Sequence, residues 1–291
     1  MKPAPFTYHD PRSVHEATEM LASLENARVL AGGQSLMAMM NFRYAMPDHL
    51  VDLNRIDALS YLRFEGDALH IGAMTRQRDI EHSEEVTRRC PVLHEALRHV
   101  GHRQTRNRGT IGGSLCHLDP SAELVNICML LDATLHAQSS DGTREIPMSD
   151  FAAGYMTTAL EPHELLSEIT LPLPSSRDGS AFVEFARRHG DFAIVACSAL
   201  VRIDAQGAIE RASVSISGLS PAPVRPHAIE QALQGEKPSH ETYRDAAVEA
   251  AKLEAGEDAY VTASYRQHLA RVLTYRALDK AASRAMELAN A

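Results

Sequence analysis

Apolar residues recur at helical or alternating spacing along most of the chain, and this pattern predicts short helices interleaved with short strands. The first helix has a start signal, because Ser13 and Glu16 stand at capping-box spacing and apolar residues follow at helical intervals as far as Leu24. A strand over 28–31 then leads into Gly32-Gly33 and a short apolar helix over 36–40. The same criteria predict strands over 49–53, 61–64, 68–72, 134–137 and 165–171, and helices over 75–82, 91–100 and 121–131.

A break in the pattern near residue 175 divides the chain. The segment from Pro172 to Gly179 is rich in Pro, Ser and Gly, which is typical of a linker. We therefore predict an α+β protein with one domain over 1–175 and a C-terminal domain of three strands plus helices over 176–291. In the second domain the predicted strands are 181–187, 193–203 and 209–217, and the predicted helices are 227–233, 241–253 and 260–288.

The composition narrows the functional class. The chain has 291 residues, 44% of them hydrophobic, and a formal net charge of −9, which argues against nucleic-acid binding. It has no run of 18 apolar residues and no apolar N-terminal segment, so we expect a cytoplasmic protein without membrane insertion. The four cysteines are too widely spaced for a metal knuckle, and we expect no iron–sulfur cluster on this chain alone; they are Cys90, Cys116, Cys128 and Cys197.

Two glycine-rich segments are the strongest candidates for a ligand site. Ala31-Gly32-Gly33-Gln34-Ser35 and Gly109-Thr110-Ile111-Gly112-Gly113-Ser114 both place paired glycines before a hydroxyl residue. Without a Cβ, the backbone can turn sharply and bring successive N–H groups close to a phosphate, to which Ser35 or Ser114 adds a further donor. A tight turn without any ligand is the ordinary alternative.

Both segments lie in windows that hold no Asp or Glu. The windows are 27–47 and 96–118, where the average acid content of the chain would place about six acids. The second window also carries Arg98, Arg103, Arg106 and Arg108, for which a solvated basic face is the alternative reading. Because the two segments are far apart in sequence, the simplest arrangement has two subdomains, each contributing one segment to an elongated dinucleotide.

The sequence contains no other recognisable catalytic or metal-binding motif. Neither glycine segment matches the Rossmann or P-loop fingerprint, and no Gly-x-Ser-x-Gly elbow is present. His94 and His99 stand five residues apart on a predicted helix, which places them on different faces and not at the spacing of a zinc-binding pair. The sequence therefore predicts no metal site and no catalytic nucleophile.

Three ordered motifs resemble those of the FAD-binding medium subunit of the molybdenum hydroxylases, the family of xanthine oxidase and carbon monoxide dehydrogenase. They are AGGQSL over 31–36, RNRGTIGGSL over 106–115 and RRHGDFA over 187–193, and the resemblance covers nearly the whole chain. It implies a two-subdomain FAD-binding region of the vanillyl-alcohol-oxidase (PCMH) type, with subdomains of about 1–55 and 56–175, followed by the three-strand C-terminal domain.

The resemblance also implies the positions that bind the cofactor. Glu123 matches a cofactor-contacting position, although an acid in the first turn of a helix has an ordinary explanation in the helix dipole. Leu166 matches a position beside the isoalloxazine ring and Phe192 an aromatic residue that gates it, with a core role as the alternative for both. The positions implied around the diphosphate and ribityl chain are Ala31, Gly32, Gly33, Gln34, Ser35, Thr110, Ile111, Gly112, Gly113 and Ser114.

One position departs from the family pattern. Many members carry a lysine near the flavin where this chain has Glu184, and Arg187 lies three residues further on, which places it on the opposite face of a strand. The sequence leaves open which group replaces that cation.

The function implied by the resemblance is electron transfer within a larger enzyme. FAD here would pass electrons from a partner 2Fe-2S subunit to an external acceptor, while a large molybdopterin subunit hydroxylates a small, N-heteroaromatic substrate. We expect an αβγ heterotrimer that doubles to a hexamer. The alternatives are a stand-alone FAD reductase or oxidase, resembling the cell-wall UDP-sugar enolpyruvate reductases, and a flavin-free assembly or binding protein. The sequence does not identify the acceptor.

Overall fold

The chain forms two compact units, each assembled from segments that are distant in sequence. The computed structural model describes residues 1–289. The first unit comprises 1–82, 102–117 and 133–172, and the second comprises 83–101, 118–132 and the chain from Leu173 onward. Two short segments of the N-terminal half thus join the C-terminal strands and helices. The domain boundary near residue 175 remains a prediction.

The first unit contains two main sheets and a two-stranded ribbon, with elements numbered along the chain. A parallel three-stranded sheet has the order β1-β3-β2, and an antiparallel five-stranded sheet has the order β4-β5-β10-β6-β7. Strands β8 and β9 pair with each other. The strands are β1 Thr7–His9, β2 Ala27–Leu30, β3 His49–Asp52, β4 Leu62–Glu65, β5 Ala68–Gly72, β6 Thr134–Ser139, β7 Gly142–Pro147, β8 Ala152–Gly154, β9 Thr157–Thr158 and β10 Leu165–Pro172.

Short helices complete the first unit. Ser13 caps α1 as its spacing predicts, because its Oγ accepts a hydrogen bond from the N–H of Glu16 at 3.1 Å. Ala17 and Leu21 on that helix pack with Val51 and Leu165 in an apolar cluster. The helices are α1 Val14–Ser23, α2 Leu36–Asn41, α3 Gln77–Glu81, α6 Arg103–Arg108, α7 Ile111–His117 and α9 Met148–Phe151.

The second unit is an antiparallel sheet covered by helices. Strands β11 Asp178–Phe185, β12 Val195–Ile203 and β13 Ile209–Ser217 pair in sequence order. The long helix α12 packs small residues against the sheet, and a Cβ at Gly179 would lie 2.1 Å from the carbonyl oxygen of Ala281. The helices are α4 Glu84–Arg89, α5 Pro91–Leu97, α8 Glu123–Leu130, α10 His227–Leu233, α11 His240–Ala246 and α12 Ala263–Ala289.

The predicted α+β class is confirmed, with local differences from the expected elements. The predicted helix over 241–253 stops at Ala246 and resumes as a 3-10 turn, Glu249–Lys252. The pattern missed α4 and α6 because these helices bury one residue and none, respectively, and so carry no apolar periodicity. It also missed β1, β7 and the β8-β9 ribbon. No described helix has the length and apolarity needed to span a membrane.

Candidate functional site

The first glycine segment leaves the edge of the parallel sheet. Strands β2 and β3 run side by side in the same direction, with Leu30 opposite Asp52, so their carboxyl ends emerge together. Ala31 and Asn54 follow these two ends, and the Nδ2 of Asn54 donates a hydrogen bond to the carbonyl oxygen of Ala31 at 2.9 Å. The sheet thus fixes where the segment begins.

A row of free backbone donors follows that point. Within the described residues, the five consecutive N–H groups from Gly32 to Leu36 have no hydrogen-bond acceptor, although these residues are mostly half-buried. Gly33 has a φ of +74°, in the left-handed region that favours glycine. Successive N–H groups in such a turn form a concave site for an anion. The geometry therefore fits a phosphate group, as the sequence predicts.

The second glycine segment differs from the first. It is not a loop throughout, because Ile111, Gly112, Gly113 and Ser114 belong to α7. Its N–H groups are already bonded within the protein: Gly109 to Thr105, Ile111 to Thr75, Gly112 to Ala73, and Gly113 and Ser114 to Thr110. Of the N–H groups from Gly109 to Ser114, only that of Thr110 has no acceptor among the described residues.

Close packing explains why the paired glycines are needed. A Cβ at Gly32 would lie 2.3 Å from the carbonyl oxygen of Arg108, so the two segments touch at this point. A Cβ at Gly112 would lie 2.6 Å from the Cβ of Ala73, and a Cβ at Gly113 would lie 2.8 Å from the Oγ1 of Thr110. The second segment therefore packs against the first and fixes its position.

Leu166 belongs to the first unit and adjoins a residue that bonds Ala73. It is a buried residue of β10, just before an irregularity in the pairing with β6. The carbonyl oxygen of the next residue, Ser167, accepts a hydrogen bond from the N–H of Ala73, whose own carbonyl accepts from Gly112. These two bonds link β10 to the second glycine segment. The role of Leu166 beside a flavin ring remains a prediction.

Glu123 belongs to a buried acidic cluster of the second unit. It is the first residue of α8 and only 3% exposed, and burial raises the pKa of its carboxyl to about 8. The side chain of Glu184 is only 8% exposed, with Oε1 lying 3.0 Å from the Nδ1 of His99, whereas its Oε2 has no hydrogen-bond partner within the described structure. The hydrogen bond with Glu184 raises the pKa of His99. An imidazole thus stands beside the carboxylate at the position where the family resemblance leads one to expect a lysine.

The aromatic residue of the third motif is exposed. Phe192 is 56% exposed on a connection between β11 and β12. Arg187 lies beyond the end of β11, and its guanidinium is 5.1 Å from the ring centre of Tyr260. Phe192 therefore has no core role in the second unit, and its role as a gate remains a prediction.

Comparison with known proteins identifies the family. Residues 4–174 match the model described as the FAD binding domain in molybdopterin dehydrogenase, and residues 180–281 match the CO dehydrogenase flavoprotein C-terminal domain. The chain belongs to this family of molybdopterin-dehydrogenase flavoproteins. FAD is accordingly its cofactor, and it is an oxidoreductase subunit.

Individual relatives match along their full lengths. The chain is 38% identical to the caffeine dehydrogenase subunit beta of Pseudomonas sp. (strain CBB1), over 99% of this chain and 98% of the relative. It is 37% identical to subunit alpha of the 6-hydroxypseudooxynicotine dehydrogenase complex of Paenarthrobacter nicotinovorans, over 98% and 97%. Among solved structures, quinoline 2-oxidoreductase from Pseudomonas putida 86 superposes with a TM-score of 0.95 at 34% identity, over 98% of this chain and 100% of the matched chain.

Sequence reasoning missed several residues that shape the site. Asn54, Arg76 and Ala73 hold the two glycine segments in place, and none of them belongs to a recognisable motif. The sequence feature that could have indicated Asn54 is its place just after strand β3, which runs parallel to strand β2, the strand that ends before Ala31. The contact of Arg76 with the second segment depends on tertiary structure and leaves no local pattern.

Proposed function

We propose that this chain is the FAD-carrying electron-transfer subunit of a heteromeric molybdenum hydroxylase. The observation that carries the proposal is the row of five free N–H groups from Gly32 to Leu36. This row lies within residues 4–174, which match an FAD-binding domain of molybdopterin dehydrogenases. Bound FAD would supply the electron chemistry, receiving electrons from a partner 2Fe-2S subunit and releasing them to an external acceptor.

The residues of the chain would bind and orient that cofactor. The free N–H groups of the first segment, with the hydroxyl of Ser35, would hold the negatively charged diphosphate. The second segment would contribute the N–H of Thr110 and the hydroxyl of Ser114, and its main role would be support. Glu123, Leu166 and Phe192 remain proposed contacts of the cofactor.

The names of the relatives support the proposed substrate class and partners. Those named for caffeine, quinoline and a nicotine derivative favour a small N-heteroaromatic substrate that binds to a separate molybdopterin subunit. We propose an αβγ heterotrimer that doubles to a hexamer. Mass measurement of the co-expressed complex by light scattering tests this stoichiometry.

Anaerobic flavin bleaching tests the function. The purified complex should bleach its flavin absorbance when an N-heteroaromatic such as caffeine or quinoline is added, whereas this chain alone should stay oxidised. Bleaching of the isolated chain by such a substrate would favour a stand-alone oxidase or reductase. Absence of flavin absorbance from both preparations would favour an assembly or binding protein.

A further inference from the structure

A continuous row of side-chain hydrogen bonds joins the two glycine segments of the first unit. The Nδ2 of Asn54 donates to the carbonyl oxygen of Ala31 at 2.9 Å, and the Oδ1 of Asn54 accepts from the Nη2 of Arg76 at 2.6 Å. The Nη1 of Arg76 donates to the carbonyl oxygen of Arg108. That oxygen is also the atom against which Gly32 packs. We refer to Asn54 and Arg76 as the loop clamp.

Further hydrogen bonds fix the positions of both members of the loop clamp. Asp52 is buried, and its carboxylate accepts hydrogen bonds from the Oη of Tyr8 at 2.6 Å and from the N–H of Asn54 at 2.9 Å. Arg76 pairs with Thr110 in an isolated β-bridge, flanked by a hydrogen bond from Gln77 to Gly109 and one from Ile111 to Thr75. The clamp therefore has a fixed backbone position at each end.

The loop clamp controls the direction of a peptide unit. A trans peptide is planar, with its C=O and N–H pointing in opposite directions. When the Ala31 carbonyl points to Asn54, the N–H of Gly32 must point the other way. Gly32 provides the first of the five free donors. The clamp thus aims the start of the donor row, and its hold on Arg108 fixes the wall against which Gly32 rests.

We infer that Asn54 and Arg76 are positioning residues for the FAD diphosphate, acting through the backbone of Ala31–Gly32 and of Arg108–Gly109. This inference rests on the proposed role of the first segment in holding the diphosphate. It assigns Arg76 a geometric role, which is distinct from attraction by its charge. A lysine at this position would keep the charge but could not present the fixed fork that bonds Asn54 and Arg108 together.

The test is FAD affinity of the full-length apoprotein, measured by quenching of flavin fluorescence. We expect Asn54→Ala, Arg76→Ala and Arg76→Lys each to raise the Kd for FAD about 10-fold or more. Each change would misdirect backbone N–H groups that donate to the diphosphate, and losing hydrogen bonds to a charged group usually has an effect of this size. Because Asn54 and Arg76 act through one continuous row of hydrogen bonds, breaking it twice should do no more than breaking it once. The Kd of the double variant Asn54→Ala/Arg76→Ala for FAD should therefore not exceed the higher Kd of the two single variants. Arg78→Ala is the matched control, since Arg78 is an exposed arginine two residues away whose side chain bonds only Asn107 among the described residues.

The outcomes separate the possible explanations. Wild-type affinity in Arg76→Lys, with loss in Arg76→Ala, would show that only the charge matters and would overturn the inference. Multiplicative losses in the double variant would overturn it as well. The urea midpoint of each apoprotein variant measures its general stability. If the loss of FAD affinity simply followed the fall in that midpoint, the variants would be destabilised in general, and the inference would be overturned. If the wild-type chain itself bound no FAD, the proposed function would fail instead.

Discussion

At the scale of single residues, Glu123 places an acid where water cannot reach it. Burial raises its pKa to about 8, and the nearby charge of Glu184 acts in the same direction. In the unfolded chain the carboxyl has a pKa of about 4.3. Between about pH 4 and about pH 8 the unfolded state therefore releases this proton while the folded state keeps it. The free energy of unfolding consequently falls as pH rises through that range, because of Glu123.

Glu123→Gln should remove this penalty. We expect the FAD-free variant to exceed the wild type in unfolding free energy by about 5 kcal/mol near pH 8.5, and by about 1 kcal/mol near pH 5, as the two pKa values imply. Urea unfolding followed by circular dichroism measures both values. Glu145→Gln is the control, because Glu145 is 72% exposed, and it should change neither value. An equal gain at both pH values would contradict the raised pKa.

Gly32 permits the contact between the two glycine segments. Gly32→Ala should destabilise the chain by about 1–3 kcal/mol and weaken FAD binding, because the added Cβ would meet backbone that cannot move aside, the carbonyl oxygen of Arg108. Thermal unfolding and flavin content of the purified chain measure these effects. Gly154→Ala is a suitable control, since its Cβ would meet nothing closer than 3.8 Å. Unchanged flavin content in Gly32→Ala would show that the segments can separate without loss of function.

At the scale of elements, Glu95 ties α5 to β11 and α12 within the second unit. Its carboxylate accepts hydrogen bonds from the N–H of Phe182 at 3.0 Å, from Arg284 at 3.0 Å and from Lys280. Burial acts to raise the pKa of Glu95, but the hydrogen bonds from Arg284 and Lys280 outweigh it and leave the pKa below its usual range. The contribution to stability is thus present at neutral pH and is lost as pH falls through the folded pKa.

Glu95→Ala should cost about 3 kcal/mol of unfolding free energy at neutral pH, because the Phe182 N–H, Lys280 and Arg284 lose the carboxylate to which they donate. The loss should shrink as pH falls through the lowered pKa of Glu95, because the wild-type carboxyl then becomes protonated itself. Urea midpoints across this pH range provide the measurement. Glu65→Ala, at a 59% exposed side chain, serves as the control. A loss that stays constant with pH would indicate a packing role for the side chain rather than an ionic one.

The sequence predicted most elements but not the contacts between them. Strand β5 and strand β13 appear within the predicted limits, because their alternation is a local property of the chain. The glycine segments were recognised by residue type, yet their unequal roles were not. In the second segment two of the donors are occupied by Ala73 and Thr75, which are distant in sequence. Likewise, no local pattern shows that Arg76 holds both Asn54 and Arg108.

At the scale of the whole molecule, the four cysteines bear on which redox centres this chain can hold. A 2Fe-2S cluster requires four ligands, normally thiolates. Cys90, Cys128 and Cys197 are buried in the second unit, where burial raises the pKa of Cys90 and of Cys197 to about 12 and that of Cys128 still higher. Cys116 is exposed in the first unit. The three buried thiols therefore stay protonated, and a thiolate quartet on this chain would require its core to open.

The chain purified alone should consequently contain FAD but no stoichiometric iron. Metal analysis by mass spectrometry and the visible spectrum provide the measurement, and the spectrum should show flavin bands without the longer-wavelength absorbance of a cluster. The co-expressed complex is the control, because its 2Fe-2S subunit should bring iron and that absorbance into the same assay. About two iron atoms per flavin in the isolated chain would contradict both the buried state of the thiols and the proposed division of redox centres among subunits.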